Sequence, residues 1–380
     1  MAARTVLRPA LAAAALTALL GLGGCSLWSS SAPKPAELGP NVPVLAVRQA
    51  WQAQIGSLRG MRPSVHVQGN TVLLASGDGT VAAIDARTGG DVWRANVHAP
   101  LASGVGSDGR WAAVVSHTGE VIALDAGREV WRKPLATPAY TAPLVAGERV
   151  FVLAADRSVT AFDAATGYRL WSQQRPGEPL ILRQGGVLMA VGDTLVAGLA
   201  GRLVGFNPDN GSVRWEVPLA SPRGTNDVER LVEIVGHTSR VDDTVCARAF
   251  QATVGCIDAA RGRVLWSVPA SGSEGIDGDD TMLFGTESNG TVQAWQRSDG
   301  KRAWSSQRLK FRHLTAPLLL GRSVVIGDGD GLVHLLSRTD GAPLNRLSTD
   351  GSGIAAAPVA AGNTLVVVTR KGGVYGFRPD

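Results

Sequence analysis

Three cysteines in 380 residues, none in a Cys-x-x-Cys pair, leave this chain without a dithiol redox motif. Clusters of one charge are missing too. No run of Lys and Arg exceeds two residues and the formal charge is only +5, so nothing marks a nucleic-acid surface. Tyrosine and phenylalanine are few, 3 and 7. No stretch after residue 45 repeats its apolar residues at helical spacing, which argues against a helical fold. There is no Gly-x-Ser-x-Gly elbow, no P-loop, and no dinucleotide fingerprint at the head of a helix. The six histidines, His66, His98, His117, His237, His313 and His334, show no metal-ligand spacing and read as surface or loop residues. Acidic strings at 327–331 and 274–280 suggest calcium loops at first sight. The first aligns with a hairpin turn at Ser76, and the EF-hand ligand order with its closing Glu is missing. No metal and no cofactor is expected.

What the chain does have is a repeat. VAAIDARTGGDVW runs from Val81 to Trp93, and related strings end at Trp131, Trp171, Trp215, Trp266 and Trp304. A seventh copy, from Val333, has lost its tryptophan, and an eighth, VYGFRPD, begins at Val374. The copies start 38 to 44 residues apart, with one interval of 51 between Leu203 and Val254. A period of this size indicates a propeller or a solenoid. Each copy holds short apolar runs broken by Gly, Asp, Asn and Pro, and the copy starting at Ala142 shows four, the strands of one antiparallel blade. The Asp-x-x-Thr-Gly string supplies a turn in which Gly89 or Gly167 takes positive φ. The following tryptophan offers a flat face to cover the join between blades. The last copy lacks a fourth strand, whereas Trp51 in VRQAWQAQIG has no third strand ahead of it. The N-terminal segment is therefore expected to complete the last sheet and close the ring. The fold class is all-β, an eight-bladed β-propeller of four-stranded antiparallel blades over residues 45–380.

The first 24 residues read differently. Arg4 and Arg8 precede an apolar stretch from Leu11 to Leu22, the order of a secretory signal. The Leu22-Gly23-Gly24-Cys25 that follows resembles a bacterial lipobox, whose cysteine is acylated after cleavage. An ordinary signal peptide with an incidental cysteine, or a membrane span, is the alternative, although the stretch is short for a span. Ser26 after the cysteine resembles the signal for outer-membrane sorting. Residues 25–44, rich in Ser, Pro and Ala, read as a lipidated cysteine and a flexible tether, with the propeller on the periplasmic face.

Cys246 and Cys256 occupy the slots that Leu73 and Ala83 hold in the first copy, opposed across the hairpin of the second and third strands. Opposed strand positions bring Cβ atoms near disulfide spacing, and an exported chain meets oxidising conditions. A disulfide is expected there, with two inert buried thiols as the alternative.

Two family resemblances carry the functional expectation. The Asp-x-x-Thr-Gly-x-x-x-Trp motif is similar to that of quinoprotein dehydrogenases, which would imply pyrroloquinoline quinone on the axis. Those enzymes are much longer and carry an adjacent Cys-Cys pair that this chain lacks. The signal, tether and eight compact blades together resemble the BamB family of the outer-membrane β-barrel assembly machinery, from about residue 20 to the C-terminus. After Trp171, Leu180-Ile181-Leu182-Arg183 matches a Leu-x-Leu-Arg segment that in the family contacts a periplasmic domain of the barrel-forming subunit BamA. After Trp215, Asp227, Glu229, Arg230, Leu231 and Glu233 fit the family's acidic loop, while Val235 stands where a second Asp is frequent. His313 to Pro317 and Gly327-Asp328 also resemble family segments, with a structural role.

Both loops join a fourth strand to the next first strand, so they are expected on one face of the ring at consecutive junctions. Loops on a rigid scaffold are the usual carriers of binding. The resemblance implies a non-catalytic scaffold that binds BamA and assists folding of outer-membrane proteins, with nascent barrel strands as further partners through edge pairing. The residue-level alternative is that Leu180 and Leu182 open a buried strand and Arg183 is solvated. At the level of function the alternatives are the quinone-dependent dehydrogenase and a periplasmic sensor or peptidoglycan-associated propeller.

Overall fold

A computed structural model describes residues 33–176, 180–222, 225–227 and 230–380. The expected signal, Cys25 and Glu229 lie outside the described residues. Every described strand belongs to one of eight sheets. Seven blades follow chain order, at 66–96, 101–134, 144–174, 188–218, 234–269, 276–306 and 318–348. The eighth comprises Val359–Ala361, Thr364–Val368 and Gly373–Pro379, and its outer strand is Val47–Gln54 from the other end of the chain. Val47 pairs with Pro379 and Gln54 with Gly373, antiparallel. The expected closure of the ring by the N-terminal strand is what the structure has. One addition was not foreseen: Arg62–Pro63 pairs parallel with Leu101–Ser107, giving the second blade a fifth, two-residue strand.

Position within a blade explains composition. Second and third strands are covered on both faces by neighbouring blades, so they read as unbroken apolar runs; four of the five residues in Arg149–Leu153 are buried. Fourth strands face solvent at the rim, and in Arg169–Gln174 Trp171 alone is buried. The repeated tryptophans then span the blade joins. The indole N–H of Trp131 donates to Ala164 O at 2.8 Å, and Trp51, Trp171, Trp266 and Trp304 make the same bond to the matching carbonyl of the following turn. The turn glycine lies beneath the ring. Gly167 has φ 68°, and a Cβ on it would sit 2.6 Å from Trp131 Cδ2, so both backbone and packing demand glycine.

The compact unit begins at Ala36, ahead of the expected boundary at residue 45. Ala36 N–H donates to Lys310 O and Val44 N–H to Leu344 O, while Leu38 packs beside the cluster holding Leu309 and Leu314. Part of the segment expected to be a free tether is thus docked on the sixth and seventh blades.

Candidate functional site

The two connections fall where the repeat placed them. The first runs from Gln174, the end of the third blade, to Leu188, and the second from Pro218 to Ile234, where the 51-residue interval adds its length. Residues 180–187 form a loop, so Leu180 and Leu182 do not open a strand. Leu180 is 38% exposed, and Arg183 is exposed as well. Arg183 Nε donates to the Tyr140 hydroxyl at 3.2 Å, and its guanidinium carbon lies 5.3 Å from that ring's centroid, a geometry that holds a cation over an aromatic face. Ile181 and Leu182 turn inward and line a cavity of about 60 Å³ with Tyr140, Leu153 and Leu199.

On the second connection Asp227 and Arg230 are exposed. Glu233 is half-buried, and one carboxylate oxygen accepts from Arg157 Nη2 at 2.8 Å while the other accepts Ala200 N–H at 3.2 Å. Burial pushes the Glu233 carboxyl above its ordinary value, opposed by the Arg157 guanidinium. The same Arg157 Nη2 donates to Leu180 O at 3.3 Å. Arg157, at the tip of the third blade's inner hairpin, therefore touches both loops. Val235 is buried, opposite Arg248 in the first strand of the fifth blade and bridged to Gly186. Those contacts leave no exposed acid at that position.

Three features escaped the sequence reading. Arg157 is the first; it stands at the place that six of the other seven hairpins give to glycine, a signal present in the repeat. The second is a fully buried cross-blade pair in which both terminal nitrogens of Arg248 donate to Glu287 Oε1 at 3.1 Å. The third corrects the histidines. His334 is buried rather than superficial, and its Nε2 lies 2.9 Å from Asp328 Oδ2, which also accepts from Arg312 Nε at 2.8 Å. The 327–331 string is the hairpin turn expected, and Asp328 serves these side chains and the Leu332 N–H. Cys246 and Cys256 are direct cross-strand partners with Cα atoms 4.0 Å apart and their sulfurs joined.

Along the axis, first strands and loops line a channel of about 390 Å³ walled largely by small residues such as Ala142, Gly186, Ala316 and Ala356. Among the described residues no group of three or more His, Cys, Asp or Glu converges to hold a metal ion. The string with dinucleotide spacing, Gly104 to Gly109, runs along a strand and its turn rather than into a helix.

An N-terminally closed, tryptophan-docked eight-bladed propeller, carrying two long loops at adjacent junctions of one face, is the class that these features define. The family model described as outer membrane protein assembly factor BamB matches residues 18–95 and 77–306. The outer membrane protein assembly factor BamB of Burkholderia pseudomallei is 41% identical over 369 residues, covering 96% of this chain and 97% of its own. The crystal structure of BamB from Moraxella catarrhalis superposes with a TM-score of 0.79 at 23% identity, over 87% of this chain and 99% of that one. A quinohemoprotein alcohol dehydrogenase from Comamonas testosteroni shares the fold, with a TM-score of 0.69, 16% identity, and coverage of 88% of this chain and 76% of its own. The chain belongs to the BamB family of outer membrane protein assembly factors.

Proposed function

We propose that this protein acts within the outer-membrane β-barrel assembly complex as a non-catalytic scaffold, docking through its two adjacent loops on the periplasmic domains of BamA. The observation that carries the reading is the presentation of the first loop: an apolar side chain, Leu180, and a guanidinium, Arg183, stand exposed three residues apart on a segment fixed from beneath. Leu180 enters an apolar patch on the partner, and Arg183, oriented by Tyr140, bonds a partner carboxylate. Asp227 and Arg230 supply the polar rim, with Glu229 beside them in the sequence. Leu182 and Glu233 support the surface from inside. Cys25 anchors the chain by its acyl groups to the periplasmic face of the outer membrane, and the Cys246–Cys256 disulfide forms on export. Nascent barrel strands are a further class of partner.

Membranes extracted in mild detergent test this. The wild-type protein should bring down BamA, and a Leu180→Ala, Arg183→Ala variant with unchanged thermal unfolding should bring down at least about tenfold less, since truncating central contacts weakens binding on that scale. Equal recovery from both would remove these residues from the site. Recovery from neither, with a bound redox cofactor instead, would move the protein to the dehydrogenase class.

A further inference from the structure

Eight hairpins join second to third strands, all on the face that carries the two loops. Six of them place glycine just before the third strand, at Gly79, Gly119, Gly201, Gly290, Gly331 and Gly372, each with φ between 76° and 98°. The fifth blade has Ala252 there, and the third has Arg157, which alone of these two side-chain-bearing residues is held at positive φ, 62°; the Arg157 N–H makes the same turn bond, to Ala154 O, that Gly79 makes to Ser76 O. A left-handed conformation is unfavourable for a residue with a Cβ, and such outliers persist where something else requires the side chain. Neighbours explain most of the glycines: a Cβ would come within 2.7 Å of the following connection at Gly79, 2.4 Å at Gly201 and Gly290, and 1.8 Å at Gly372, whereas at Gly119 the nearest atom is 3.9 Å away. In the third blade that gap is filled by the Arg157 side chain, of which 9% is exposed, reaching Leu180 O and Glu233 as described.

We propose that Arg157 is a positioning residue that clamps the first loop to the second, so that the partner meets one preformed surface rather than two independent loops. This rests on the docking reading above, in which Leu180 and Arg183 make the contact. A preformed surface avoids ordering two segments at the moment of binding. Asp227 and Arg183 are both exposed, while the link between the loops runs through the buried Arg157 side chain.

Arg157→Gly is the decisive variant, because it installs the residue that six sister hairpins carry and removes backbone strain together with the clamp. Thermal unfolding should be unchanged or slightly raised. Amide exchange in residues 180–186 and 231–236 should quicken roughly tenfold as both segments lose their shared anchor, and capture of purified BamA periplasmic domains by the full-length lipoprotein should fall by about tenfold. Glu233→Gln, which keeps shape and one acceptor, should move both readouts the same way by less. Unchanged exchange in either loop, or unchanged capture, overturns the clamp. A wild-type protein that captures nothing instead overturns the docking reading, and the positioning role with it, whatever the exchange shows.

Discussion

Six glycines, Ala252 and Arg157 occupy equivalent hairpin positions, and the arginine, held at positive φ, is the residue that ties the two candidate loops. Side chains elsewhere follow the repeat more closely, and the seventh blade shows what a buried charge network adds. Burial pushes the Asp328 carboxyl up, but hydrogen bonds from His334, Leu332 N–H and Arg312 outweigh it and hold the group below its ordinary value. A depressed acid contributes stability above its unfolded pKa, near 4, and that contribution is lost as pH falls through the folded value. Asp328→Asn should therefore cost about 3 kcal/mol at pH 7, with the gap to wild type narrowing below about pH 4; urea midpoints at both pH values measure it. At this scale the sequence was legible where it repeats. The Trp131 and Gly167 slots could be read because one packing problem recurs at every join. The partners of Glu233 could not, because Arg157 and Ala200 come from two other blade tips far back along the chain, and the Asp328–His334 pair, though within one hairpin, has no counterpart in the other copies of the repeat.

Strands were more legible than side chains. Apolar runs punctuated by Gly and Asp gave the four strands of the third blade to within a few residues, since a strand buried on both faces can contain little else. The parallel pairing of Arg62–Pro63 and the docking of residues 36–45 had no pattern to announce them; the first rests on backbone hydrogen bonds that any sequence can make, and the second on scattered contacts from Leu38, Asn41, Arg312 and Asn345 outside the repeat. Ring closure is the element with the largest consequence. The Trp51 indole N–H reaches Ala86 O in the first blade while its own strand completes the eighth, so one segment joins both sides of the seam. Deleting Val47–Gln54 should expose Gly373–Pro379 as an unpaired edge, lower the unfolding temperature by at least about 5 °C, and bring on aggregation visible by light scattering. Unchanged unfolding would mean that the seam is held elsewhere.

Over the whole molecule, the ring sorts its loops by face. Connections from fourth to first strands and the inner hairpins, including Leu180, Arg183 and Arg157, lie on one side, and turns between third and fourth strands, including Tyr168, lie on the other. Fold and family follow from the repeat and from relatives along the full chain; the proposed docking face consists of two loops and one clamp. A photo-crosslinking amino acid placed at residue 180, and separately at residue 168, in cells that assemble outer-membrane proteins tests that face most directly. A covalent adduct with BamA is expected from position 180 and none from position 168. Adducts from position 168 alone would place the partner on the opposite face and contradict the proposed docking.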